Sequence, residues 1–226
     1  MNRGILGTAA LTLLLAACSH DSAGIQEKKS GGVKMLTSAL GKVLPGKKET
    51  AAQAAPSDPN ALAAAALQSL KGPVIMVTFE ANKTPMIGAM RGENGTMRTY
   101  QTPSNRAFVM RNGLLAGTRG FGRDLMSADT QAADQLIRST TAGTAQRVYR
   151  YLDGGGAERP LPVSCTITPG ATVDIGPVKA RQVAEHCEGS GASLDMSYLV
   201  AGGTILQSRQ WVGPGLGYVT IQQLRN

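Results

Sequence analysis

Cys18 is the residue whose surroundings predict a definite chemical modification. It ends the run Leu15-Ala16-Ala17-Cys18, which follows a basic start and an apolar stretch over residues 5–17. This layout is typical of a bacterial lipoprotein signal peptide, in which the cysteine thiol takes a diacylglyceryl group and the chain is cut before it. The apolar stretch has roughly half the residues that a membrane-spanning helix needs. The alternative is an ordinary secretory signal with an accidental cysteine.

The modification would tie the mature chain to a membrane. Burial of two or three acyl chains, at about 0.8 kcal/mol per methylene, makes such attachment effectively permanent. Ser19 stands where an aspartate, by the usual enterobacterial sorting rule, would retain a lipoprotein at the inner membrane. We therefore expect a lipid-anchored protein on the periplasmic face of the outer membrane.

The other two cysteines form a natural pair. Cys165 and Cys187 lie in a chain whose predicted compartment permits disulfides, so a structural bridge between them is expected. A catalytic thiol would need an activating base, and the neighbouring His186 is the candidate. Adjacent strand residues point to opposite faces, so His186 is badly placed for that role.

The remaining inventory of reactive residues is thin. There is no Gly-x-Ser-x-Gly elbow and no Ser-x-x-Lys pair, and His20 lies beside the predicted lipid, which leaves one usable histidine. Neither a metal site nor a cofactor is predicted. A glycosidase needs two carboxylates, but nothing singles out a pair among the candidates Glu80, Glu93, Asp124, Asp153, Glu158 and Asp174. We expect a protein that is not an enzyme.

The net charge is +8 and is spread along the chain. Residues 19–57 carry six lysines against three acidic residues, and residues 58–226 carry sixteen basic against twelve acidic side chains. Such an excess suits anionic lipid head groups or an acidic polysaccharide. A nucleic-acid partner is disfavoured, because export separates the protein from the nucleic acids of the cell and because no recognition motif of aromatic and basic residues is present.

The elements that would position these groups divide the chain into three parts. Residues 1–17 are the signal peptide, residues 18–57 a lipidated flexible tether, and residues 58–226 a β-rich domain. Within the tether, apolar residues recur at helical spacing between Val33 and Leu44, which suits a membrane surface, a partner or the chain's own domain. Asp58 as N-cap and Pro59 after it predict a short helix to about Leu70.

Strand patterns follow from Val74 to the C-terminus. Two Asn-Gly pairs, at 94–95 and 112–113, predict hairpin tips, and Gly202-Gly203 predicts another. Residues 124–139 have helical spacing, which predicts one or two short helices between strands. Eight to ten strands at short intervals favour an all-β fold, an antiparallel barrel-like or sandwich domain with short helices.

Several segments of the β-rich region form a recognisable ordered set. They are NGLL at 112–115, GFGRDL at 120–125, RVYRYLDG at 147–154, SRQWVGP at 208–214 and GY at 217–218. This set resembles the YjbF/GfcB family of outer-membrane lipoproteins, which is tied to exopolysaccharide and group 4 capsule production. The similarity covers about residues 72–225.

The resemblance implies a barrel-like domain and an accessory role in exopolysaccharide or capsule secretion or assembly. It also implies partners, namely an outer-membrane β-barrel and periplasmic proteins of the same system. It supplies no catalytic residue. If the domain has a groove for an acidic glycan or a partner surface, aromatic faces and arginines would form it. The candidates are Arg119, Arg123, Arg147, Tyr149, Arg150, Tyr151, Trp211 and Tyr218.

Two other functions remain open at this point. A lipid carrier or outer-membrane assembly lipoprotein would need a deep apolar cavity, whereas a filled interior would count against it. A polysaccharide-modifying hydrolase would need a pair of the carboxylates named above. The aromatic candidates could equally complete the core, and the arginines could form ordinary surface ion pairs.

Overall fold

The structure is a computed structural model and describes residues 58–226. The predicted signal peptide, Cys18, Ser19 and the predicted tether lie outside the described residues. Two helices and twelve strands follow one another along the chain. They are α1 (Pro59–Ser69), β1 (Val74–Phe79), β2 (Pro85–Asn94), β3 (Met97–Gln101), β4 (Ala107–Arg111), β5 (Leu114–Arg119), β6 (Leu125–Ala128), α2 (Gln131–Arg138), β7 (Gly143–Leu152), β8 (Glu158–Ile175), β9 (Val178–Gly189), β10 (Ala192–Ala201), β11 (Thr204–Gly213) and β12 (Gly217–Arg225).

The strands form one antiparallel sheet that curls into a nearly closed barrel. Their order is β5-β4-β3-β2-β1-β12-β11-β10-β9-β8-β7-β6. The edge strands β5 and β6 meet at a seam, where the Arg119 guanidinium donates to the carbonyl oxygens of Leu125 and Met126, both at 3.3 Å. The predicted all-β, barrel-like class is confirmed, with twelve strands in place of eight to ten.

Helix α1 begins and ends where the sequence predicts. The Asp58 carboxylate accepts a hydrogen bond from the Asn60 N–H at 2.9 Å, and Pro59 occupies the first turn. At the other end the Arg225 guanidinium donates to the carbonyl oxygens of Leu67 and Leu70, both at 2.6 Å. Those carbonyls have no partner within the helix, so the last residue of β12 caps α1.

The predicted hairpin tips are confirmed. Asn112 and Gly113 both have positive φ, 50° and 94°, as a two-residue turn between β4 and β5 requires. In the first Asn-Gly pair Asn94 still pairs with Met97, so the turn is formed by Gly95 and Thr96. A Cβ on Gly113 would lie 2.9 Å from Ile205 Cβ, which makes glycine necessary there for space as well as conformation.

The prediction for residues 124–139 is partly wrong. Residues 131–138 do form the helix α2, but Leu125 and Met126, read as helical, belong to strand β6. β6 pairs with β7, and its terminal residues Leu125 and Ala128 are buried. A four-residue strand is too short to show a period of two, so the apolar residues of β6 and α2 merge into one apparent helical pattern.

The connections between strands collect at two ends of the barrel. The end here called the loop end carries the connections at residues 80–84, 102–106, 120–124, 153–157, 190–191 and 214–216. The opposite end carries the Asn-Gly turns, α1 and the C-terminus of α2. Between the ends, alternate residues point inward; on β8 these are Leu161, Val163, Cys165 and Ile167.

Candidate functional site

The eight residues predicted to form a surface do not lie on one surface. Arg147 and Tyr149 are among the most deeply buried side chains of the described chain, and Trp211 also belongs to the core. The prediction of an exposed groove is therefore wrong for Arg147, Tyr149 and Trp211. Trp211 contributes to packing, since its ring meets the edges of Tyr149 and Tyr151 at centroid distances of 5.2 and 5.9 Å.

Arg147 lies inside the barrel as one half of a buried ion pair. Its Nη1 donates to both carboxylate oxygens of Glu185 at 2.9 Å, and its Nε donates to the Asp129 carbonyl oxygen at 3.0 Å. The Tyr198 hydroxyl donates to the same carboxylate at 2.6 Å. A buried charge is tolerable only when it is paired and hydrogen-bonded, and this network meets both conditions.

The network keeps its charges fixed. Burial alone lowers the pKa of the Arg147 guanidinium, but the neighbouring Tyr149 and Glu185 side chains outweigh it and raise that pKa above its ordinary value. Burial, together with the Glu185 carboxylate, raises the pKa of Tyr198. Tyr198 is therefore a neutral donor, and the group acts as a structural element rather than a proton relay.

The other four predicted residues are dispersed. Arg119 bridges the β5–β6 seam, and Arg150 forms an exposed ion pair with Glu158 at 3.6 Å. Arg123 packs over Gly215 at the loop end, where a Cβ on that glycine would meet its side chain. The Tyr218 ring lies 3.7 Å under the Arg209 guanidinium, and its hydroxyl accepts from the Asp195 N–H at 3.2 Å. No common groove joins these four side chains.

The glycine-rich segment before β6 is held by one carboxylate. Asp124 accepts hydrogen bonds from the Thr118 hydroxyl at 2.8 Å and from the N–H groups of Gly120 and Phe121 at 3.1 and 3.3 Å. Gly120 and Gly122 both have positive φ, which the tight path requires. The segment therefore forms a tight connection between β5 and β6, and it presents the Phe121 ring at the loop end.

A cleft opens beside Phe121 at the loop end, and we call it the loop-end cleft. It has a volume of about 410 Å³ and lies among the connections at residues 80–84, 102–106, 120–124 and 214–216. Its apolar lining consists of Phe79, Ala81, Met86, Phe121 and Leu216, with Gly215 beside them. Its polar lining consists of Asn82, Thr84, Ser104 and Arg106.

The sequence analysis missed this cleft. Its lining residues come from four separate connections and from the adjoining ends of β1 and β2, and no connection forms a motif by itself. The one available signal was Phe121, which lies in the GFGRDL segment of the resemblance. Arg106 carried no signal, because a lone arginine in a polar loop is ordinarily a solvated charge.

Cys165 and Cys187 form a disulfide between β8 and β9, as predicted. The two residues face each other in the ladder and are fully buried. His186 points to the outer face, where Nδ1 lies 2.7 Å from Asp195 Oδ1 and Nε2 lies 3.1 Å from Glu188 Oε1. The hydrogen bond with Asp195, and then that with Glu188, raises the pKa of His186. The imidazole is thus on the opposite face of the strand from the sulfur.

The described residues offer one grouping with the spacing of metal ligands, formed by Cys165, Glu185 and Cys187. Both sulfur atoms are bonded to each other, so neither is the thiolate that a metal would need. Glu185 is already bound to Arg147 and Tyr198. These residues do not fit a metal centre.

Within residues 58–226, no helix combines the length and the apolar character needed to cross a membrane.

Comparisons with known proteins place the chain among lipoproteins of polysaccharide systems. A family model described as "Group 4 capsule polysaccharide lipoprotein gfcB, YjbF" matches residues 36–224. None of the curated proteins matches the chain. The crystal structure of the hypothetical lipoprotein YmcC from Escherichia coli (K12) superposes with a TM-score of 0.61 at 17% identity, over 74% of this chain and 90% of that one. That similarity shows a shared fold, and the family match confirms the resemblance predicted from the ordered segments.

Proposed function

The chain belongs to the YjbF family of group 4 capsule polysaccharide lipoproteins, and from that membership we propose that it is a non-enzymatic accessory factor in exopolysaccharide or capsule secretion or assembly. The family match over residues 36–224 is the observation that carries this proposal. In the proposed function, acyl chains on Cys18 hold the protein on the periplasmic face of the outer membrane. The domain meets an outer-membrane β-barrel, periplasmic proteins and an acidic polysaccharide.

The placement of the carboxylates supports a role without catalysis. Five of the six candidates pair with five different basic side chains, and the sixth, Asp124, holds its own loop. The pairs are Glu80 with Arg209, Glu93 with Arg98, Asp153 with Arg159, Glu158 with Arg150 and Asp174 with Lys179. A glycosidase needs two carboxylates across one substrate bond, one of them with a raised pKa.

The pKa values of two of these carboxyl groups agree with a role without catalysis. A hydrogen bond from the Arg209 guanidinium lowers the pKa of Glu80. Hydrogen bonds from the Ala157 N–H and from Arg159 lower the pKa of Asp153. Both carboxyl groups are therefore ionised at neutral pH and are poor proton donors. We expect single replacement of each of the six carboxylates to leave export and polymer length unchanged. Loss of polymer cleavage in any one variant would support the hydrolase alternative instead.

The packing and charge of the barrel interior disfavour the lipid-carrier alternative. Side chains of the core cluster meet across the barrel, with Tyr149, Met196 and Trp211 among them. The buried ion pair between Arg147 and Glu185 also lies inside. An acyl chain needs a deep apolar cavity, whereas this interior combines close packing with fixed charges.

The anchor is tested by Cys18→Ala expressed in the native host in place of the natural gene. We expect labelled palmitate incorporation to be lost, the protein to move to the soluble periplasm and polysaccharide export to fail. Ser19→Asp is the matched control, since it keeps the lipid and should redirect the protein to the inner membrane. Full export by the soluble Cys18→Ala protein would overturn the anchored model.

A further inference from the structure

Arg106 is an exposed side chain that lines the loop-end cleft and has no carboxylate partner within residues 58–226. Its guanidinium lies over the Phe121 ring, 5.2 Å from the centroid. Its side-chain hydrogen bond is a long one, 4.0 Å from Nη1 to Met86 Sδ, and a thioether is a weak acceptor. Within residues 58–226, none of the ion pairs includes Arg106. The cleft therefore presents a positioned cation whose donors are available to an incoming anion.

The rest of the polar lining offers groups that recognise hydroxyls. Asn82 Oδ1 accepts from the Thr84 N–H at 3.1 Å, which orients the amide and leaves its two N–H donors unused. Ser104 exchanges a hydrogen bond of 3.0 Å with the Thr102 hydroxyl and retains further capacity. These side chains are exposed and line the same cleft as the Arg106 guanidinium.

The apolar lining completes a surface of mixed character. Phe79, Phe108 and Phe121 form a cluster with centroid distances of 5.1 to 6.3 Å, which fixes the Phe121 ring from behind. Phe121 and Leu216 are partly buried and pack on the core. A pyranose ring has apolar C–H faces and a rim of hydroxyls, so it matches an apolar surface bordered by amides and hydroxyls.

We propose that the loop-end cleft binds a carboxylate-bearing sugar unit, such as a hexuronate, of an acidic polysaccharide. The carboxylate pairs with Arg106, the hydroxyls bond to Asn82, Thr84 and Ser104, and a ring face packs on Leu216 beside the Phe121 ring. Arg106 is the one charged residue among the lining residues of the cleft, all of which are described. This inference rests on the proposed function, because that function brings an acidic polymer to the protein.

A fatty acid is the competing occupant, since it also combines a carboxylate with an apolar chain. The cleft is open, and four of its ten lining residues are polar. A methylene chain would leave the Asn82, Thr84 and Ser104 groups covered without partners, which costs free energy. The geometry thus favours the sugar.

The test is a titration of the full-length lipidated protein, purified in detergent, with tetragalacturonate as the probe. We expect saturable binding to tetragalacturonate. Binding should be at least about tenfold weaker for its methyl ester and for maltotetraose, because both lack the charge that pairs with Arg106. Equal binding of the methyl ester, tighter binding of octanoate or no saturable binding would each overturn the proposal.

Variants locate the site. Arg106→Gln should weaken tetragalacturonate binding about tenfold through the lost charge-assisted hydrogen bonds. Arg91→Gln removes the same charge from an exposed position outside the cleft and should leave affinity within about twofold. Equal losses in both variants would show general charge attraction and overturn the site. Thermal unfolding of each variant verifies that it folds.

The two proposals fail in different ways. If Arg106→Gln abolishes binding yet a strain carrying it still exports polymer, the cleft binds sugar and its contribution to export is dispensable. If the wild-type protein binds no uronate but deletion of its gene stops export, the cleft proposal is wrong and the proposed function stands. If deletion leaves export normal, the proposed function is wrong whatever the titration shows.

Discussion

Arg147 shows how one side chain can be decisive for the interior without taking part in chemistry. Its guanidinium and the Glu185 carboxylate are almost completely removed from water. Desolvation of two charges is expensive, and their mutual attraction offsets it only when geometry and additional hydrogen bonds are good. Here the Asp129 carbonyl and the Tyr198 hydroxyl supply those bonds. Removal of either charge would leave the other buried and uncompensated.

We predict that Arg147→Met lowers the free energy of unfolding by about 3–5 kcal/mol, because Glu185 is left as an unpaired buried charge. The double variant Arg147→Met/Glu185→Gln should lose less than the sum of the two single variants, since the neutral amide still accepts from Tyr198. Urea unfolding of the wild-type protein, Arg147→Met, Glu185→Gln and the double variant measures the coupling free energy between the two side chains.

Arg159→Met is the matched control for this cycle, because the Arg159–Asp153 pair is exposed. Its cost should be about 0–1 kcal/mol. Additive losses for the Arg147 and Glu185 replacements would show that the two side chains do not act as a pair.

At the scale of elements, the long hairpin of β8 and β9 is cross-linked near its open end, one residue pair from the end of the ladder. Cys165 and Cys187 are directly paired across the two strands, and inward residues on either side of them belong to the core. The bond closes a loop with a sequence separation of 22. In the chain-entropy account, such a closure restricts the unfolded chain and so stabilises the folded one.

We predict that loss of the Cys165–Cys187 bond lowers stability by roughly 3 kcal/mol and the melting temperature by about 6–12 °C. Both sulfurs are buried, so the measurement is thermal unfolding with and without dithiothreitol after equilibration under conditions that allow opening. The Cys165→Ala/Cys187→Ala variant should not respond to the reductant. Two free thiols found by mass spectrometry in protein from the periplasm would contradict the disulfide bond.

At the scale of the whole molecule, the barrel is braced across its interior by an amide. Gln210 on β11 accepts from the Leu115 N–H at 2.8 Å and donates to the Gly113 carbonyl oxygen at 3.0 Å. β11 and β5 are far apart in the sheet order, so this contact exists only because the sheet curls. The same Gly113 turn is tied to α2, where the Asn112 amide donates to Asp134 at 2.6 Å.

We predict that Gln210→Leu costs about 1–3 kcal/mol for each backbone group left without a partner. Hydrogen exchange should become faster at Leu115 and along β5, while β8 and β9 stay protected. Gln222→Leu, on the neighbouring strand, replaces an amide whose bond of 3.3 Å goes to the Gln207 side chain. It should change stability by less than about 0.5 kcal/mol, and equal effects of the two variants would refute the brace.

Much of this architecture was predictable because its signals are local. Asp58 and Pro59 start α1, Asn112 and Gly113 turn a hairpin, and alternation along β8 and β9 separates inward from outward residues. These features depend on backbone preferences and on a period of two, both of which extend over a few residues. The short strand β6 was misread because it gives too few residues to establish a period.

By itself, the sequence established the family, the all-β class and the cysteine pair, and it predicts the lipid on Cys18. The tertiary structure alone decided that Arg147 is internal, because its partner Glu185 is 38 residues away and becomes adjacent only when β7, β8 and β9 align. It also decided that Phe121 and Arg106 share a cleft with residues of two other loops. Such convergence depends on strand register and barrel closure, which no short segment encodes.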